Sequence, residues 1–179
     1  MANSAAHQGV VAVGAAHSYA GLSQVLPGAR LLIVLDGVED PHNLGAIIRT
    51  GHAAGASAVI VPERRAAGLT ETVGKAAAGA LEHLPVARVG NINLTLEELK
   101  KAGFWIYGLD ERGGRLYTET DYAAPTVFVL GGEGHGLHDL VKKHCDALVR
   151  IPMAGAIASL NVSVAAGVVL FEWRRRHPE

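Results

Sequence analysis

Three stretches of a 179-residue chain carry closely spaced polar residues of types that can bind or act on a ligand. The first, DGVEDPHNLGAIIR from Asp36 to Arg49, offers carboxylates, a Pro-fixed turn, the amide of Asn43 and the guanidinium of Arg49. Asn43 stands near a helix start, where an asparagine can cap free N–H groups. Arg49 follows nearly two turns later, beside Ile47 and Ile48, a position a simple surface arginine also fits. The second stretch, LGGEGHGL from Leu130 to Leu137, sets Glu133 among Gly131, Gly132, Gly134 and Gly136. Glycines there permit positive φ angles and close approach of a ligand. The stretch lacks the Lys and Ser or Thr of a P-loop, and its spacing is not the dinucleotide fingerprint, so phosphate binding is disfavoured. By itself it is equally a tight turn with a solvated glutamate. The third, IPMAGAIASLNVSVAAGVVLFE from Ile151 to Glu172, is almost free of charge. Ser159, Asn161 and Ser163 stand there among Gly155, Ala158, Leu160, Ala165, Ala166 and Gly167, a surrounding that suits a neutral or cationic ligand better than a phosphate. Taken alone it also reads as a serine-capped buried helix whose small residues serve packing.

The elements that must position these stretches alternate regularly from Arg30 onward. LLIVLD reads as a strand, NLGAIIRTGHAAG as a helix ending at Gly55, AVIVP as a strand, and an Ala-rich helix begins at about Thr70. PVARV follows as a strand. Thr95 and Glu98 have capping-box spacing for the LEELKKAG helix, which ends at Gly103 before the strand FWIYGLD. TVFVLGG, HDLVKKH and ALVRI repeat the pattern, and a last helix runs from about Ser159 to Arg176. Continuous rather than alternating apolar strands predict an α/β fold, a mostly parallel sheet with helices on both faces. Ligands in such sheets bind beyond the carboxyl ends of the strands, where all three polar stretches fall. Residues 1–28, rich in Ala, Gly and Ser, hold a strand-like GVVAV and a short helix around YAGLSQVL, and read as a linker leading into a domain over 29–179.

Composition narrows the choices. Hydrophobic residues make up 49% of the chain, enough for a sizeable core. A formal net charge of -1 supplies no global field for a polyanion, so any nucleic-acid contact must be local. The basic groups Arg64–Arg65, Lys142–Lys143 and Arg174–Arg176 are candidates for it, or solvated faces. There is no membrane-spanning run and no signal peptide, and Cys145 stands alone, which predicts a soluble cytoplasmic protein. His135, His138, His144 and Cys145 fit no zinc signature. Asp36, Glu39 and Asp40 match the carboxylate cluster of a magnesium-dependent phosphohydrolase, an alternative that leaves the third stretch unexplained.

DPHNLGAIIRT, GGEGHGL and IPMAGAIASLNVSVAAGVVLFE, in this order and spacing, resemble the three motifs of the SpoU/TrmH family of RNA ribose 2′-O-methyltransferases, of the SPOUT class. The resemblance spans roughly His7 to Arg176, and HQGVVAV and the third motif are most similar to the bacterial branch that methylates a guanosine in 23S rRNA. That branch carries an N-terminal RNA-recognition domain, so this chain is expected to be the catalytic domain without it. The resemblance implies a deep C-terminal trefoil knot, an exception to the rule against threading. It implies S-adenosylmethionine held against Gly131, Gly132, Ile151, Met153, Ser159 and Leu160, largely by backbone groups. It also makes Arg49 catalytic, with Asn43, Glu133, Ser159 and Asn161 in support, and implies an RNA partner and a homodimer. A guanidinium is effectively always protonated, so Arg49 is expected to orient a phosphate and stabilise alkoxide charge rather than act as base. Glu133 can take the proton if burial raises its pKa, or can merely fix Asn43. A tRNA ribose methyltransferase and a catalytically silent RNA-binding knot domain are the remaining alternatives.

Overall fold

The computed structural model describes residues 17–156 and 159–178. The run LLIVLD forms β1 (Leu31–Asp36), buried along its whole length because helices cover both of its faces. Beside it stand β2 (Ala58–Pro62), β3 (Val86–Val89), β4 (Trp105–Leu109), β5 (Arg115–Leu116), β6 (Thr126–Gly131) and β7 (Ala147–Arg150). They make one seven-stranded sheet in the order β3-β2-β1-β6-β4-β7-β5, parallel at every pairing. The two-residue β5 leaves no hydrophobic run in the sequence and was not anticipated there.

The helices are α1 (Leu22–Val25), α2 (Pro41–Ala54), α3 (Glu71–Ala77), α4 (Ile92–Lys101), α5 (Asp139–His144) and α6 (Val162–Arg176). Alternate side chains of β1 feed two cores. Leu31, Ile33 and Leu35 pack with Leu44, Ile47 and Ile48 of α2, Val73 of α3 and Leu170 of α6. Leu32 and Val34 pack with Val25 of α1, Leu96 and Leu99 of α4 and Val141 of α5. The α/β sheet with helices on both faces is therefore as its continuous apolar strands predict. Gly55 ends α2, as expected, in the left-handed conformation at φ 84°, and α3 starts where expected, with Thr70 as its cap.

Three helix starts differ from expectation. Asp40, not Asn43, caps α2: its carboxylate accepts the His42 N–H at 2.8 Å, and Pro41, which has no N–H to satisfy, takes the first helical position. Asn43 thereby lies inside the first turn. Asn91 caps α4, accepting from the N–H groups of Asn93 and Leu94 at 2.9 and 3.3 Å. The helix so begins a turn early, and the Thr95 hydroxyl donates to the Asn91 carbonyl at 2.9 Å instead of forming a box with Glu98. Asn161 caps α6, which starts at Val162 rather than at Ser159. The strand-like GVVAV lies outside the described residues.

From β1 the chain turns to α2 on one face of the sheet; from β6, the neighbouring strand, it turns to α5 on the other. Asp36 and Gly131 are the last paired residues there, so the two loops diverge and open a crevice at the switch point.

Candidate active site

One residue ties down both ends of the glycine loop at this crevice. The Asp36 carbonyl accepts the Gly132 N–H at 2.8 Å, and its carboxylate, on a residue only 6% exposed, accepts the His138 N–H at 2.9 Å. The same carboxylate faces His138 Nδ1 at 2.9 and 3.0 Å. Between these anchors the backbone touches backbone. A Cβ on Gly132 would lie 2.0 Å from the Gly37 oxygen, and one on Gly131 would lie 2.1 Å from the Gly136 carbonyl carbon. Only glycine admits such an approach. Asp36 thus clamps the loop, and the signal in the sequence was a carboxylate closing a wholly apolar strand.

Asn43 joins the three polar stretches. From its buried place in α2 it donates through Nδ2 to Glu133 Oε1 and, at 3.3 Å, to Asp40 Oδ2. Its Oδ1 accepts from Asn161 Nδ2 at 3.0 Å. Asn161 Oδ1 in turn accepts from the N–H of Ser163 at 2.9 Å, the Ser163 hydroxyl at 2.6 Å and the Val164 N–H at 3.4 Å. The amide of Asn43 therefore fixes Glu133 to the start of α6 across three elements, and the orientation of each group follows from its partners. Glu133 itself is exposed, and its Oε1 is taken by the Asn43 amide.

Beside this network lies a cavity of about 660 Å³. Gly131, Gly132, Ile151, Met153, Ser159 and Leu160 all line it, as do Glu133 and Asn161. Its far wall comes from the loop after β4, with Leu109, Asp110, Glu111 and Arg112, and from Lys142 of α5. Lys142 Nζ meets Asp110 Oδ2 at 2.7 Å. Burial pushes the Asp110 carboxyl up, but the Lys142 hydrogen bond, the Arg112 N–H and the nearby charges outweigh it and hold the group below its ordinary value. The same hydrogen bond raises the Lys142 ammonium. Sequence reasoning passed over this wall, since Lys142 read only as half of a basic pair.

Arg49 stands apart from the cluster. Six residues place it about 9 Å further along α2 than Asn43. It is exposed, does not line the cavity, and no hydrogen bond or ion pair to it is present among the described residues. Two other arginines are paired instead. Arg175 and Arg176 bind Glu172 at 2.8 and 2.7 Å, and the Arg175 hydrogen bond draws that carboxyl down to about 2. Burial pushes the Cys145 thiol up to about 12, far from a nucleophile. Among the described residues no group of three or more His, Cys, Asp or Glu is placed to hold a metal ion, and no helix is long and apolar enough to cross a membrane.

The chain is similar to several known proteins. A TrmH family tRNA/rRNA methyltransferase of Bacillus subtilis is 48% identical over 179 residues, covering 96% of this chain and 72% of that protein. An AdoMet-bound rRNA methyltransferase from Sinorhizobium meliloti superposes with a TM-score of 0.83 at 34% identity, over 90% of this chain and 62% of that one. An RNA 2′-O ribose methyltransferase structure gives a TM-score of 0.74 at 31% identity, over 82% of this chain. The chain spans 62% and 56% of the length of these two solved chains. The SpoU rRNA Methylase family matches residues 30–171, the sheet, the cavity and most of α6 together, and the chain belongs to that family.

Proposed function

We propose that this chain transfers a methyl group from S-adenosylmethionine to a ribose 2′-hydroxyl of RNA, a guanosine of 23S rRNA being the target its motifs match best. The observation that carries this reading is the Asn43–Glu133–Asn161 network, which joins the three motifs: Glu133 and Asn161 line one cavity, and Asn43, outside its lining, holds both. The cavity fits the donor chemically. Leu130, Ile151, Met153 and Leu160 offer apolar surface to a flat heterocycle, and Glu111 and Glu133 offer negative charge to a cation. When bound, that cofactor supplies an electrophilic methyl on a sulfonium that leaves as a neutral thioether. A knotted crossing of the chain after β6 and after β7 belongs to the same reading.

The protein's own work is then alignment and charge stabilisation of a weakly acidic hydroxyl. Asn43 holds Glu133 and Asn161 at fixed positions, and the hydroxyl proton leaves through the adjacent phosphate or water. The Arg49 guanidinium takes the phosphate beside the acceptor. Two copies pair over the α6 face that leaves Val164 and Phe171 about half exposed, at 52% and 50%. Gly167 of that helix lies against Thr50, so the pairing sets Arg49 beside the seam. Equilibrium sedimentation giving a monomer at micromolar concentration would remove the dimer from this account.

The test is incubation with labelled S-adenosylmethionine and unmodified 23S rRNA, with a tRNA arm, and mapping of the ribose methyl. Arg49→Ala is expected to abolish transfer with cofactor affinity kept in calorimetry. Label in tRNA alone would move the target to tRNA, and cofactor binding without label in either RNA would make the chain a silent binder.

A further inference from the structure

Of the basic groups in the sequence, Lys142, Arg175 and Arg176 are taken up by carboxylates, Arg112 meets Glu111 and Arg88 lies over the Tyr19 ring. Arg65 is different. It is exposed, and no hydrogen bond or ion pair to its guanidinium is present among the described residues, although Glu39 and Glu133 line the same cavity. That second cavity, of about 530 Å³, lies behind the glycine loop. It shares Gly132, Glu133, His135 and Gly136 with the first, so the loop is a common wall between the two.

The backbone of Arg65 is unusual as well. Its φ of 57° is in the left-handed region, which a residue bearing a Cβ rarely adopts and glycine adopts freely. The segment has no slack that would make this incidental. Glu63 donates its N–H to the Val89 carbonyl at 2.9 Å, Ala67 to the Val38 carbonyl at 3.0 Å, and Leu69 to the Tyr19 hydroxyl at 3.0 Å. An unfavourable conformation kept by a side chain with no partner, at the rim of a cavity, points to a ligand for that side chain.

We propose that Arg65 binds an RNA phosphodiester close to the acceptor nucleotide, so that the strand runs from the Asn43–Glu133 network past the glycine loop into the second cavity. This rests on the methyl-transfer reading above. Of the carboxylates in this cavity, Asp36 is bonded to His138 and Glu133 to Asn43. Glu39 remains to repel a phosphate from the interior and hold it at the Arg65 rim.

Arg65→Gly tests this, because it removes the guanidinium while relieving the backbone. In vitro transcribed 23S rRNA and tRNA serve as probes, the one that wild type methylates being carried forward. The variant is expected to melt at or above the wild-type temperature and to keep its S-adenosylmethionine affinity. Its KM for RNA should rise about tenfold, and the slope of log K against log salt should fall by about 1. Unchanged RNA affinity and salt slope would overturn the assignment, as would a lower melting temperature with parallel loss of cofactor, which would make Arg65 a structural residue. A wild-type chain that methylates neither RNA overturns the parent reading instead.

Discussion

The two ends of the same parallel sheet are held by different means. At the carboxyl end, beyond Asp36 and Gly131, backbone lies on backbone: the Gly132 N–H meets the Asp36 carbonyl, and there is no room for a Cβ at either glycine. At the amino end a buried pair of side chains does the joining. Trp173 of α6 donates its Nε1–H to the Thr126 hydroxyl at 2.8 Å, and that hydroxyl donates to the Ala123 carbonyl at 2.7 Å. Side-chain packing gives stability, whereas bare backbone leaves space and hydrogen-bonding groups for a ligand. Substitutions at the carboxyl end should therefore move ligand binding and catalysis more than stability, and those at the amino end the reverse.

The strongest way to break this contrast is Gly132→Ala. Its Cβ would stand 2.0 Å from the Gly37 oxygen, so the two loops must separate and the cavity wall must shift. Cofactor binding is expected to weaken by about 100-fold, the scale of a displacement of about 1 Å at a site. Calorimetry showing wild-type affinity would mean that backbone contact does not set the wall. Next is Asn43→Ala, which removes the hydrogen-bonding partner of both Glu133 and Asn161. The methylation rate should fall about 100-fold, comparable to loss of one preorganised donor, with a smaller change in cofactor affinity. A rate within threefold of wild type would leave the network a structural one.

The contrast also explains what the sequence could reveal. The sheet was legible because LLIVLD, AVIVP and TVFVLG are apolar on both faces, a pattern that a half-exposed strand does not have. The residues around the cavity were legible through motif resemblance, since Gly131, Met153 and Leu160 have no chemistry that singles them out. Helix starts were misread wherever several capping residues competed: Asp40 with Asn43, Asn91 with Thr95, Asn161 with Ser159. Local spacing could not rank them, because Pro41 and the tertiary partners of Asn43 decide. The clamp at Asp36 was hidden for a similar reason, its partner His138 being 102 residues away.

At the amino end, Trp173→Phe keeps the aromatic bulk and deletes only the N–H. The bond it removes is buried, so unfolding free energy should fall by about 1–2 kcal/mol, or roughly 2–8 °C in melting temperature for a chain of this length. Cofactor affinity and methylation below the transition should stay at wild-type values. A variant that melts normally but methylates slowly would erase the distinction between the two ends.

The Asp110–Lys142 pair gives the smallest effect and a sharp discrimination, because, like the Asn43 network, it lies at the carboxyl end yet is built of side chains. Lys142→Met should lower stability at pH 7 by up to about 1 kcal/mol, since the ammonium is about a third exposed and solvent screens the pair. The folded Asp110 carboxyl lies below its ordinary value, so its contribution is present above about pH 4, the unfolded value, and is lost as pH falls through the folded one. Lys142, raised in the fold, stays charged throughout that range. The melting difference between wild type and Lys142→Met should therefore hold from pH 5 to 8 and shrink in acid. If the variant loses that small stability with cofactor affinity intact, construction by side chains predicts the outcome better than position in the sheet does. If affinity falls far more than stability, position predicts better, and the ion pair belongs to the ligand wall as fully as the glycines do.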